Sequence, residues 1–164
     1  MKKVSVLLTK YTSWPIVAVY FLTGFGYNHT AIKLEDDDSC YYSFNYKGFC
    51  TESIEKYRRY GVKKSIEFEL SISDESYDEI KRRINDVMEH RSEYKYALKS
   101  TLVGLFNIPY RQEKRYFCSQ FISQLLKESN AVELQYDPDL YLPNNFCMDL
   151  SQCEQLQCIR TNVV

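Results

Sequence analysis

KKSIEFELSISDESYDEIKRRINDVMEH, residues 63–90, changes its repeat part-way, and that change decides the fold class. Ile66, Phe68 and Leu70 alternate with polar residues, the two-residue repeat of a strand with one face on a core. Beyond it, Tyr77, Ile80, Ile84, Val87 and Met88 fall at the spacing of one helix face. Ser73 or Asp74 supplies the side-chain oxygen that caps the first turn, so the helix is predicted over 75–91. Its other face, Lys81-Arg82-Arg83 and acidic residues, reads as solvated surface. A clear strand running into a clear amphipathic helix predicts an α+β protein.

Working outward toward the N-terminus, Val4–Thr9 is short, apolar and β-branched, a buried strand. Ser13 offers a cap to a helix with Trp14 and Pro15 in its first turn, running to Thr23 and ending at Gly24 or Gly26. Asn28–Leu34 and Ser39–Asn45 read as the two strands of a hairpin around the acidic turn 35–38. That turn lacks the alternating ligands and central glycine of a calcium loop. Residues 47–60 read as irregular, with a short helix near 52–57. Toward the C-terminus, 96–106 is a second helix, stopped by Ile108-Pro109. Residues 116–128 form a third, with Phe117, Phe121, Ile122, Leu125 and Leu126 as its apolar stripe. A short helix over 144–150 and a strand near 156–161 complete one domain, with no repeat, linker or low-complexity tract.

Composition bounds the function. The chain has 164 residues, enough for one domain with a real core, and a net charge of -1 with no dense basic stripe, which argues against nucleic acid. Fifteen tyrosines against five glycines favour strands and half-wet pockets. The six cysteines show no metal-binding spacing and the only histidines are His29 and His90, so neither metal nor cofactor is expected. Reduced thiols in a cytoplasmic protein fit best. The apolar run 14–26 is about half of the ~20 residues a membrane helix needs. No cleavage site follows it, so neither a signal peptide nor an integral membrane segment is expected.

Two residues carry chemistry. Cys118 stands in the first turn of its helix, where free N–H groups favour a thiolate and can hold a developing oxyanion. A small buried thiol facing the core would occupy the same position. His29 lies on a buried strand, where a satisfied core histidine is the ordinary case. His90, at the end of a charged helix, suits the negative pole of that helix. Together Cys118 and His29 form a stronger signal: imidazole takes the thiol proton and later protonates the leaving group. A third polar residue usually orients the imidazole. Ser43, or alternatively Asn45, sits on the hairpin's return strand at an even separation from His29.

Chain order then matters. Papain-like hydrolases place Cys before His; here His29 comes first, which resembles the circularly permuted NlpC-type amidases of the YiiX/YaeF group. The pieces that carry the resemblance are YNHTAIKL (27–34), YYSFNYKGFCTE (41–52), YKYALKSTLVGLF (94–106), KRYFCSQFISQLL (114–126) and YDPDLYLPNNF (136–146), covering nearly the whole chain. The resemblance implies a permuted papain-like fold, a small antiparallel sheet packed against helices. It implies Cys118 as nucleophile and His29 as base, with a third polar residue on the neighbouring strand. Many relatives carry an acid or amide there.

The expected function is thus cleavage of an amide bond, peptide or amino-acyl, by thiolate attack. The alternatives are a thioesterase or acyltransferase acting on acyl conjugates, and an inactive scaffold that binds a peptide or partner. Tyr11, Trp14 and Tyr116, with Tyr27 and Tyr110 nearby, are the candidate substrate-lining aromatics.

Overall fold

The structure is a computed structural model and describes residues 1–11, 26–37, 39–100 and 108–164. At its centre lies β1 (Lys2–Lys10), whose run VSVLL is buried on both faces. Val4, Val6 and Leu8 point into the larger core and Leu7 into a smaller one. A strand with both faces buried belongs in the middle of a sheet. Accordingly β2 (His29–Leu34) pairs with one edge and β5 (Lys64–Ile72) with the other, both antiparallel. Beyond β2 come β3 (Tyr41–Asn45) and β4 (Gly48–Glu52); beyond β5 comes β8 (Leu156–Thr161). The order is β4-β3-β2-β1-β5-β8, six strands, every pairing antiparallel.

The helices cover the larger core. α2 (Asp74–Glu89) is capped by the Ser73 side chain and buries Tyr77, Ile80, Ile84 and Val87. α3 (Cys118–Glu128) packs on β2 and β3 with Phe121, Ile122, Leu125 and Leu126 buried. Its Phe121 ring meets Phe44 edge-on at 4.9 Å. α4 (Pro143–Gln152) adds Phe146 and Leu150 to the same core. On the opposite face a smaller cluster of Leu7, Ala31, Tyr41, Tyr57 and Val62 forms beneath α1 (Ile54–Arg59). A two-stranded parallel pair, β6 (Lys95–Tyr96) with β7 (Arg115–Tyr116), ties the segment after α2 to the approach of α3. Mixed α+β architecture is therefore established, and the sheet is antiparallel.

Five expectations need correction or limits. Residues 48–52 are a strand, not irregular chain, because the turn at Tyr46-Lys47 pairs Asn45 with Gly48 and extends the hairpin ladder to Tyr41 and Glu52. The short helix begins later, at Ile54, capped by Ser53. Met88 is 42% exposed, since the buried stripe of α2 ends at Val87. Residues 95 and 96 are strand, 98–100 are helical, and the rest of the helix expected to 106 lies outside the described residues. The helix expected over 13–23 lies outside them as well.

Candidate active site

Phe117 is extended (φ -97°, ψ 163°), and Cys118 is the first helical residue after it. The first helical bond runs from the Phe121 N–H to the Phe117 carbonyl, 3.1 Å. The N–H groups of Cys118, Ser119 and Gln120 therefore have no acceptor within the helix. The Gln120 side chain, wholly buried, fixes this end. Its Oε1 accepts from the Phe117 N–H at 3.4 Å, and its Nε2 donates to Asp139 Oδ1 at 2.7 Å. Arg111 Nε donates to the same carboxylate oxygen at 3.0 Å. Three separate segments thus converge on the turn that carries the thiol.

His29 opens β2, opposite Thr9 of β1. Its neighbour Asn28 accepts from the Tyr11 N–H through Oδ1 (2.9 Å) and donates to the Tyr11 carbonyl through Nδ2 (3.0 Å). That clamp stands the Tyr11 ring edge-on to the imidazole, 5.4 Å between centroids. The Cys118 thiol is near enough to the His29 side chain to help raise its affinity for a proton. Its Nε2 lies 2.7 Å from Glu52 Oε2 at the end of β4. With Nε2 engaged by Glu52, Nδ1 is the ring nitrogen that a mechanism would use. Glu52 Oε2 also accepts from the Tyr57 hydroxyl at 2.6 Å, and Lys56 Nζ stands 3.9 Å from Oε1.

Cys118 is 7% exposed, His29 8% and Glu52 5%, so the His29–Glu52 pair acts largely out of water. Burial alone would push the Glu52 carboxyl up; the imidazole, with the Tyr57 hydroxyl and Lys56, outweighs it and holds it down at about 2. Burial alone would push His29 down. The Glu52 carboxylate and the nearby Cys118 thiol overcome that and raise it to about 10. The imidazole therefore keeps its proton at neutral pH. Cys50, two residues before Glu52 on β4, is pushed up to about 12 by its burial and by that same carboxylate.

The structure brings Cys118, His29 and Tyr11 together, and places other candidates elsewhere. The third polar residue, the one that faces the imidazole, is Glu52, not Ser43 or Asn45. The Ser43 hydroxyl donates to the Thr30 carbonyl at 2.6 Å, and Asn45 Oδ1 accepts from the Lys47 N–H within the hairpin turn. Tyr116 does not line the site: its ring packs between Phe44, Phe121 and Tyr94 in and beside the larger core. Tyr110 is exposed, and Tyr27 lies under Lys64 Nζ at 5.0 Å. Trp14 lies outside the described residues. His90 caps α2, its Nδ1 2.9 Å from the Asp86 carbonyl.

Three contributors went unread in the sequence: Glu52, Tyr57 and Asn28. The available signal for Glu52 was the alternation in GFCTE after the NYKG turn, which puts Cys50 and Glu52 on one face. An open cavity of about 620 Å³ flanks Glu52 on the side of Thr51, Lys56 and Tyr60; neither Cys118 nor His29 lines it. All six cysteines are free thiols. Among the described residues no cluster of His, Cys, Asp or Glu is placed to hold a metal ion, and no helix is long and apolar enough to cross a membrane. Comparison with protein-family models, with curated proteins and with solved structures returns no match.

Proposed function

We propose that the protein is a cysteine hydrolase of permuted papain-like type that cleaves an amide bond, with Cys118 as nucleophile, His29 as general acid and base, and Glu52 as the residue that orients and charges the imidazole. The observation that carries this is the buried Glu52 carboxylate 2.7 Å from an imidazole whose proton affinity the nearby Cys118 thiol also raises. A histidine that merely packs in a core does not need a carboxylate buried beside it. The order of His29 before Cys118 suits a permuted arrangement.

In this mechanism the proton held on His29 pairs with a Cys118 thiolate. The sulfur attacks the carbonyl carbon, and the carbonyl π electrons move to oxygen, which the free N–H groups of the first turn of α3 stabilise. His29 then gives its proton to the departing amine nitrogen as the C–N bond breaks, leaving an acyl-thioester on Cys118. Neutral His29 next removes a proton from water; the hydroxide adds to the thioester, and the C–S bond breaks to release the acid and regenerate the pair. Glu52 holds the ring in place and stays ionised throughout.

The test is thiol reactivity at pH 7 with iodoacetamide, read residue by residue. Cys158 is the exposed reference thiol. Cys118 is expected to react about tenfold faster than Cys158, and to lose that advantage in His29→Ala. Labelling of Cys118 no faster than Cys158, or unchanged in His29→Ala, would overturn the proposal.

A further inference from the structure

Lys47, Arg91, Lys95 and Arg115 are scattered along the sequence but line one open cavity of about 730 Å³. The β3–β4 turn supplies the first, the segment after α2 the second, and the β6–β7 pair the last two. Tyr46, Tyr94 and Tyr96 share the lining, and no carboxylate does. Two of the nearby acids are already engaged. Glu93 pairs with Lys114, and Asp86 holds His90 at 3.3 Å and the Tyr94 hydroxyl at 3.2 Å. Among the described residues none of the four cations takes part in an ion pair. Four like charges converging without an acid is an arrangement that costs repulsion, and it is relieved by an anion.

Lys47, Arg91 and Lys95 are exposed, and two contacts hold the wall of the cavity in place. Arg91 Nε donates to the Phe49 carbonyl at 2.9 Å, which fixes the guanidinium and leaves four N–H donors. Gly48 has φ +106°, and a Cβ there would lie 2.8 Å from the Tyr94 carbonyl oxygen, so the hairpin tip is pressed against this segment. Lys95 and Arg115 are partners in the parallel register, and their side chains leave the pair on the same side. The volume is that of a small-molecule site. Two guanidinium forks and two ammonium groups match the several oxygens and double charge of a phosphate better than a single carboxylate.

We propose that this cavity binds a phosphate-bearing small ligand, held by Arg91, Lys95, Arg115 and Lys47 with its organic part against the tyrosine rings. The site is independent of Cys118. Two sources share this chemistry, a soluble phosphate compound and the headgroup of a phospholipid.

The full chain is titrated with inorganic pyrophosphate by calorimetry, and separately with phosphatidylcholine vesicles lacking or containing phosphatidic acid. Binding in either arm is expected to weaken about tenfold in Lys95→Gln and again in Arg115→Gln, each a lost charged hydrogen bond. It should be unchanged in Arg58→Gln, on α1 beyond the far end of β4, and in Cys118→Ala. Binding of pyrophosphate assigns the soluble source; binding confined to phosphatidic acid vesicles assigns the headgroup. No binding in either arm, or equal weakening by Arg58→Gln, overturns the proposal. Failure of thiol reactivity at Cys118 leaves it untouched.

Discussion

One oxygen atom concentrates the electrostatics of the candidate site. Glu52 Oε2 accepts from both His29 Nε2 and the Tyr57 hydroxyl, and it is the oxygen through which the carboxylate is oriented. Hydrogen bonds to an ionised carboxylate are worth about 1.5–3 kcal/mol each. Tyr57→Phe removes one of them, so the Glu52 carboxyl should titrate about one unit higher, measured by carboxyl carbon NMR across an acid titration. Glu52→Gln acts on the other partner. His29 loses the charge that raises it and should fall by about 1–3 units. Under the proposed mechanism the Cys118 sulfur then loses its cationic partner at neutral pH, and iodoacetamide labelling there should slow. An unchanged labelling profile in Glu52→Gln would show that the carboxylate does not act through the imidazole.

Elements, more than residues, decided what the sequence disclosed. β5 and α2 were legible because each buries one face against one core, which imprints a single period on Ile66, Phe68 and Leu70 or on Tyr77, Ile80 and Ile84. Cys118 and His29 were legible because a thiol at a helix start and a lone histidine on a strand are rare. β4 was not, because it is five residues long, opens on a glycine and carries apolar residues on both faces. Losing that strand meant losing Glu52, since its pairing to His29 reaches across β3, a contact that no local pattern encodes. The start of α3 depends on similar distant support. Gln120→Ala would leave the Phe117 N–H without its acceptor and Asp139 with one donor fewer. The expected cost is about 1–3 kcal/mol in urea denaturation, with Cys118 labelling several-fold slower and Cys158 unchanged. Unaltered labelling at that loss of stability would detach the helix end from reactivity.

At the scale of the whole molecule, a charged pair sits against the smaller of two cores, where it does little for folding. Taking two charges out of water costs several kcal/mol each, and apolar side chains of similar volume usually do as well or better. The pair also makes stability depend on pH from both sides. Glu52, held low at about 2, contributes fully above its ordinary pKa, and that contribution is lost as pH falls through 2. His29, raised to about 10, contributes below its ordinary pKa, and that contribution is lost as pH rises through 10. A triple variant, His29→Leu with Glu52→Leu and Tyr57→Phe, removes the charges and fills their space. It should be as stable as the parent at pH 7 or about 1–4 kcal/mol more so, whereas Glu52→Leu alone, which strands the imidazole, should lose about 3–5 kcal/mol. Its urea midpoint should also vary less than the parent's between pH 3 and pH 9, and its Cys118 should react like a buried thiol. Greater stability of that apolar variant is what the proposed thiol chemistry predicts, since the charged pair would then be kept at a cost to folding. Should the triple variant instead unfold as readily as Glu52→Leu alone, the pair belongs to the architecture of the small core, and the case for a hydrolase loses its physical basis.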